Sequence, residues 1–271
     1  MKNKLKERNI KIILTIITII LVIILSIICK QYVTKLISIK NFENGVLDFA
    51  NKNQKTIFSI DKIVFFSSSD SKNKTSSQTN FTIENLYTYT DMAIFINNNS
   101  NDNTLENTLK SLKISNIKIT QSPNIGQPNL YYKSINDFAK SDWKEENIIN
   151  NELKFNISQE DHTDLSKPTL YNNCANPITL SYINQNVKTD YTILDTENPI
   201  TYNGTLLKRC GVTLNSIKSS ISFEILIENN KNEKFRTNVY IDIPYEDAEK
   251  SIYDGNLTIN KKTNFRFYRY E

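Results

Sequence analysis

Apolar and polar positions follow three different rhythms along this chain, and the first has almost no polar beat. Ile12 to Cys29 reads IILTIITIILVIILSIIC, with no charge, Gly or Pro and only Thr15, Thr18 and Ser26 as hydroxyls. At about 1.5 Å per residue this run covers roughly 27 Å as a helix, close to the hydrocarbon thickness of a bilayer. Soluble strands stop after about 4 to 8 residues and soluble helices carry a polar stripe, so residues 12–29 are expected to be a transmembrane helix. Residues 30–41 then mix Val33, Leu36, Ile37 and Ile39 with three lysines and predict a juxtamembrane stalk.

From residue 42 onward the spacing shortens. Phe42, Val46, Leu47 and Phe49 are expected to open a folded domain, with a turn at Asn44-Gly45. Thr56 to Phe66 alternates as a strand, whereas Ser67 to Thr79 (SSSDSKNKTSSQT) has no large apolar side chain and predicts an exposed loop. Asn80 to Ile96 predicts two strands or one long bent one, and Asn97 to Thr104 a polar tip. Helical spacing shows at Leu105, Leu109 and Leu112, and again from Ser134 to Asn147. In that second segment Ser134 is placed as N-cap and Trp143 as packing onto a sheet. Strand signals recur from Leu153, Ile178, Val187, Leu206, Ile221, Phe235 and Phe265, with Asn203-Gly204 and Asp254-Gly255 as turn dipeptides. Ser220–Ile227 and Phe235–Ile243, joined by ENNKNE, make the clearest hairpin. About ten to twelve short strands without regular helix alternation predict an all-β fold, a β-sandwich or jelly-roll-like domain with one or two short helices, over residues 42–271.

Charge sets an orientation. Residues 1–11 carry Lys2, Lys4, Lys6, Arg8 and Lys11 against Glu7, and three more spaced lysines follow the span. The bias places residues 1–11 in the cytoplasm and the β domain outside the cell membrane. The apolar run exceeds a signal-peptide core and no small-residue cleavage site follows it, so a retained signal-anchor is expected. Ile28 before Cys29 speaks against lipidation of that cysteine. The first 40 residues hold eight basic residues and one acid, a balance of +7. With a whole-chain charge of +4, the remaining 231 residues carry −3. Nucleic acid is therefore not an expected partner. The bilayer is, through residues 12–29, together with an unidentified envelope protein or glycan.

Candidate chemistry is sparse. The lone histidine, His162, lies in the polar stretch EDHTD, and Glu246, Asp247 and Glu249 form an acidic loop with the hard oxygens that Ca²⁺ takes; both read better as solvated loops. No H-E-x-x-H, CxxC, G-x-S-x-G or phosphate-loop motif is present, so no enzyme, cofactor or metal site is expected. Cys174 and Cys210 either pair as a disulfide or are two small buried apolar residues. Tyr87, Tyr89, Tyr131 and Tyr132 are candidate aromatic binding contacts. Abundant Asn, Ile and Lys carry the imprint of an AT-rich genome, which lowers the meaning of single Asn or Lys residues. The expected function is a membrane-anchored binding or scaffolding protein of the cell envelope. Alternatives are an envelope hydrolase using two carboxylates and an accessory subunit of a membrane complex.

Overall fold

The computed structural model describes residues 2–52, 57–73, 81–100, 105–160, 162–189, 191–193 and 199–270. The chain divides into two units, residues 1–54 and residues 55–271.

The first unit is one helix, α1 (Lys2–Lys52), of 51 residues, about 76 Å long at the standard rise. Its segment Leu14–Val46 has a mean hydropathy of 2.5 in its most apolar window, none of which is buried. Thr18 Oγ1 donates to Leu14 O at 2.9 Å and Ser26 Oγ to Val22 O at 2.8 Å. These hydroxyls are thus satisfied within the helix and ask nothing of the surroundings. The helix does not stop where the hydropathy pattern changes. Residues 42–50, expected to begin the β domain, continue it, and Asn44-Gly45 makes no turn. A single Gly in a helix costs only about 1 kcal/mol, less than the flanking turns supply.

The second unit is mostly β. Its strands are β1 (Phe58–Asn73), β2 (Phe81–Asn98), β3 (Leu109–Gln121), β4 (Gln127–Tyr132), β5 (Leu153–Ser158), β6 (Thr169–Tyr171), β7 (Ile178–Lys188), β8 (Tyr191–Ile193), β9 (Ser220–Asn229), β10 (Lys234–Asp242), β11 (Leu257–Arg266) and β12 (Tyr268–Arg269). The first sheet runs β11-β1-β2-β7-β4, with β8 also on β2; the second runs β12-β10-β9-β3-β5-β6. Only β5 and β6 pair in parallel among the described strands. Inward residues of both sheets, including Ile63, Phe65, Met92, Ile94, Leu112, Ile114, Phe223 and Ile225, form one core. Rings from the two sheets meet edge to face, Phe58 with Phe235 at 5.5 Å and Tyr132 with Phe155 at 6.2 Å. The predicted hairpin is present as β9–β10, its buried residues alternating as the pattern requires.

Several expectations are corrected. Leu105–Leu112 is a short 3-10 turn, Leu105–Asn107, followed by β3. A bulge between Leu109 and Ser111 brings Leu109 and Leu112 both inward, so helical spacing arises on a strand. Ser134–Asn147 holds two 3-10 turns, Ile135–Asp137 and Glu145–Asn147; Ser134 does cap the first, but Ala139 at φ 63° ends any continuation. Leu206 and Leu207 belong to a helix, α2 (Thr205–Arg209), and not to a strand. Asn203-Gly204 leads into it, Asn203 Oδ1 accepting from Thr205 N at 3.0 Å. Ser67 to Asn73 is the second half of β1, and residues 74–80 lie outside the described residues. The serines there are buried because each finds an acceptor: Ser67 on Pro244 O, Ser69 on Asn203 O and Ser71 on Glu84 O, at 2.6 to 2.7 Å. The described part of the Asn80–Ile96 stretch, from Phe81, is one strand with a positive φ of 54° at Asn85, where β2 changes partner from β8 to β7.

Candidate functional site

Strand β2 is covered on both sides. Its residues Leu86, Met92 and Ile94 enter the shared core, while Tyr87, Tyr89 and Asp91 point to the opposite face of the sheet. Strand period two puts them in line, and register across the sheet sets Tyr89 beside Ile183 and Asp91 beside Ser181. The next strand over, β4, adds Tyr131. Tyr87, Tyr89, Tyr131 and Ile183 form a small second cluster, with Phe66, Trp143 and Ile148 packed on it. Residues 134–149 cover this face, held by a bridge between Tyr131 and Ile148 and by Ile149 N to Leu130 O at 2.8 Å.

Beneath the cover lies a buried ion pair. The side chains of Asp91 and Lys133 are 0% and 5% exposed, and Lys133 Nζ stands 3.0 and 2.9 Å from the two carboxylate oxygens. Ser181 Oγ donates to Oδ1 at 2.6 Å and Ala139 N to Oδ2 at 2.8 Å. Lys133 Nζ also donates to Lys140 O and lies 5.1 Å from the centre of the Tyr89 ring. Burial pushes the Asp91 carboxyl above the usual range, and the Lys133 charge opposes that push without cancelling it. A pair this dry is stable only because its remaining hydrogen-bonding positions are filled.

Where the cover ends, an open notch of about 310 Å³ is lined by Asp70, Ser71, Lys72, Tyr87, Ser141, Asp142, Trp143 and Glu145. The Trp143 indole meets Tyr87 edge to face at 4.5 Å. Its Nε1 donates to Glu145 Oε1 at 3.2 Å, and Lys72 Nζ lies 5.4 Å from its ring centre. Lys72 also reaches Gln185 Oε1 at 3.1 Å and Glu145 at 3.9 Å. Tyr87 OH donates to Ser141 O at 3.2 Å. Burial, then the negative charge of Asp70, raises the Tyr87 hydroxyl well above its ordinary range, and burial pushes Tyr89 up to about 12. Both phenols therefore stay protonated donors at neutral pH. The notch sets a half-buried indole beside three carboxylates and one ammonium, groups whose chemistry is stacking and hydrogen bonding.

Three of the four tyrosines singled out in the sequence thus meet here, all of them buried, with only Tyr87 on the notch wall. Tyr132 points the other way into the core, its hydroxyl donating to Leu165 O and Lys167 O at 2.8 Å. Cys174 and Cys210 are free thiols, so the disulfide alternative is not what the structure contains. Cys174 sits at φ 61° after β6, and Cys210 caps α2 inside the core. His162 is exposed. Asp247 caps its own loop, accepting from Glu249 N and Lys250 N at 2.8 and 2.7 Å, and those bonds lower its carboxyl. Among the described residues no group of three or more His, Cys, Asp and Glu side chains is placed to hold a metal ion. Sequence reading missed Asp91, Lys133, Asp70, Lys72, Asp142 and Glu145. Asp91 had one signal, a charge inside an apolar alternation on the same parity as Tyr87 and Tyr89; the rest had none. Comparison with protein-family models, with curated proteins and with solved structures finds no match for this chain.

Proposed function

We propose that this chain is a single-pass membrane protein whose β-sandwich domain, outside the cytoplasm, binds an envelope glycan or protein at the Trp143 notch. The observation that carries the reading is the fully exposed apolar segment of α1, joined in one chain to a β domain that has its own complete core. In water that surface is a steep free-energy cost at about 25 cal/mol per Å²; in lipid it costs nothing, and the helix satisfies its own backbone. The five basic residues ahead of the span support a cytoplasmic N-terminus. The notch supports a ligand rich in hydroxyls or amines, since the carboxylates accept while the indole stacks.

Protease treatment of intact cells tests the topology: the β domain is expected to be digested and the N-terminal tail protected. A chain that partitions into the soluble fraction, or a β domain that survives the protease, refutes it. Calorimetric titration of the full chain in detergent with envelope glycan fragments tests the notch, with binding expected to fall at least tenfold in Trp143→Ala. A second reading, a hydrolase using two carboxylates, is favoured by the three acids on one notch; glycan cleavage abolished in Asp142→Asn would establish it in place of simple binding.

A further inference from the structure

The Asp91–Lys133 contact places an amine and a carboxyl within reach of condensation, inside a dry and aromatic-lined site. Nζ stands against both oxygens, so the carbon between them is the nearest electrophile, and residues 134–149 close the site to water. We propose that Lys133 and Asp91 become joined by an amide bond between Nζ and Cγ, a self-made cross-link that ties β2 to the residue following β4.

The step balances without any co-reactant. A proton passes from the ammonium to the carboxylate, leaving a neutral amine beside a carboxylic acid. The acid turns about its Cβ–Cγ bond to present its face, and the nitrogen lone pair attacks Cγ. The N–C bond forms, the C–OH bond breaks, nitrogen gives a proton to the departing oxygen, and one water leaves. Each neighbour has a part in this. Ser181 Oγ and the Ala139 N–H, already donating to the two carboxyl oxygens, stabilise the negative charge that develops on oxygen in the tetrahedral intermediate. The Lys140 carbonyl accepts one amine hydrogen and so directs the nitrogen. Fixed geometry replaces a bimolecular encounter, which for well-oriented groups is worth several powers of ten in rate. Burial favours the neutral carboxylic acid at Asp91, and exclusion of water slows the reverse hydrolysis. Since Cys174 and Cys210 are unpaired, this amide is the covalent brace that the β domain otherwise lacks among its described residues.

Intact-mass spectrometry of the full-length chain purified in detergent reads the bond directly. The expected mass is about 18 Da below that of the sequence, the loss of one water. Digestion of the denatured chain is expected to give one branched peptide containing Asp91 and Lys133, with no tryptic cut after Lys133. Asp254-Gly255 can lose water by cyclising, so the branched peptide and not the mass alone decides. Asp91→Ala and Lys133→Arg are each expected to restore the full mass. A wild-type chain of full mass, a water loss mapped to Asp254, or normal cleavage after Lys133 overturns the proposal, whether or not the variants fold.

Discussion

Ala139 holds φ at 63°, a conformation in which its Cβ crowds the neighbouring carbonyl and that costs an L-residue roughly 1 to 2 kcal/mol. The strain has a visible return, because it aims the Ala139 N–H at Asp91 Oδ2. Ala139→Gly removes the crowding and keeps the hydrogen bond, so the variant is expected to gain about 1 kcal/mol in urea unfolding, less the extra chain entropy of glycine. Lys133→Met has the opposite effect. It leaves the Asp91 carboxyl buried without Lys133, a loss that costs about 3 to 5 kcal/mol relative to the uncondensed ion pair. The pH dependence follows from a carboxyl whose folded pKa is raised by burial. Below the unfolded value of about 4 both states hold the proton, and the buried Asp91 carboxyl then costs the variant least. As the pH rises, the unfolded chain releases its proton while the buried acid keeps it, so stability falls until the folded pKa is passed. Urea midpoints of Lys133→Met at acid and neutral pH are therefore expected to decrease with increasing pH.

Elements differ in how plainly their residues announce them. The β9–β10 hairpin was legible because buried Phe223, Ile225 and Ile227 alternate with half-buried positions and the polar ENNKNE spans the end of β9 and the turn. The second half of β1 was not, because burial there rests on serine hydroxyls whose acceptors, Pro244 O and Asn203 O, lie more than a hundred residues away in sequence. Leu105–Leu112 misled because a bulge imitates helical spacing, and Ser134–Asn147 because a capped, amphipathic segment broke at one backbone angle. The candidate site was half readable: Tyr87 and Tyr89 share a strand face by parity, but Trp143 and Lys133 join them only through tertiary contact. A tight element contact gives a further test. A Cβ on Gly204 would lie 2.0 Å from Ile252 O and 2.3 Å from Gly255 O, both backbone atoms with little room to yield. Gly204→Ala is expected to lose about 1 to 3 kcal/mol by overpacking α2 against the Ile252–Asp254 turn, measured as a lowered thermal midpoint.

At the scale of the whole molecule, the β domain carries two thiols and no bridge between them. Burial pushes Cys210 up to about 11 and Cys174 up to about 12, so neither supplies thiolate near neutral pH. Alkylation of the native chain is expected to leave both unmodified over minutes, whereas the denatured, unreduced chain takes a label at each; mass spectrometry counts them. A bridged pair would take none before reduction.

The molecule has one tryptophan, and its ring sits against Tyr87 and near Lys72 on the segment that covers the first sheet. Its fluorescence consequently reports on that covering segment, while circular dichroism in the far ultraviolet reports on the strands. If the cover peels away before the sheets melt, emission shifts to the red at a lower denaturant concentration than the strand signal fades. A covalent staple at its root would make the two curves coincide.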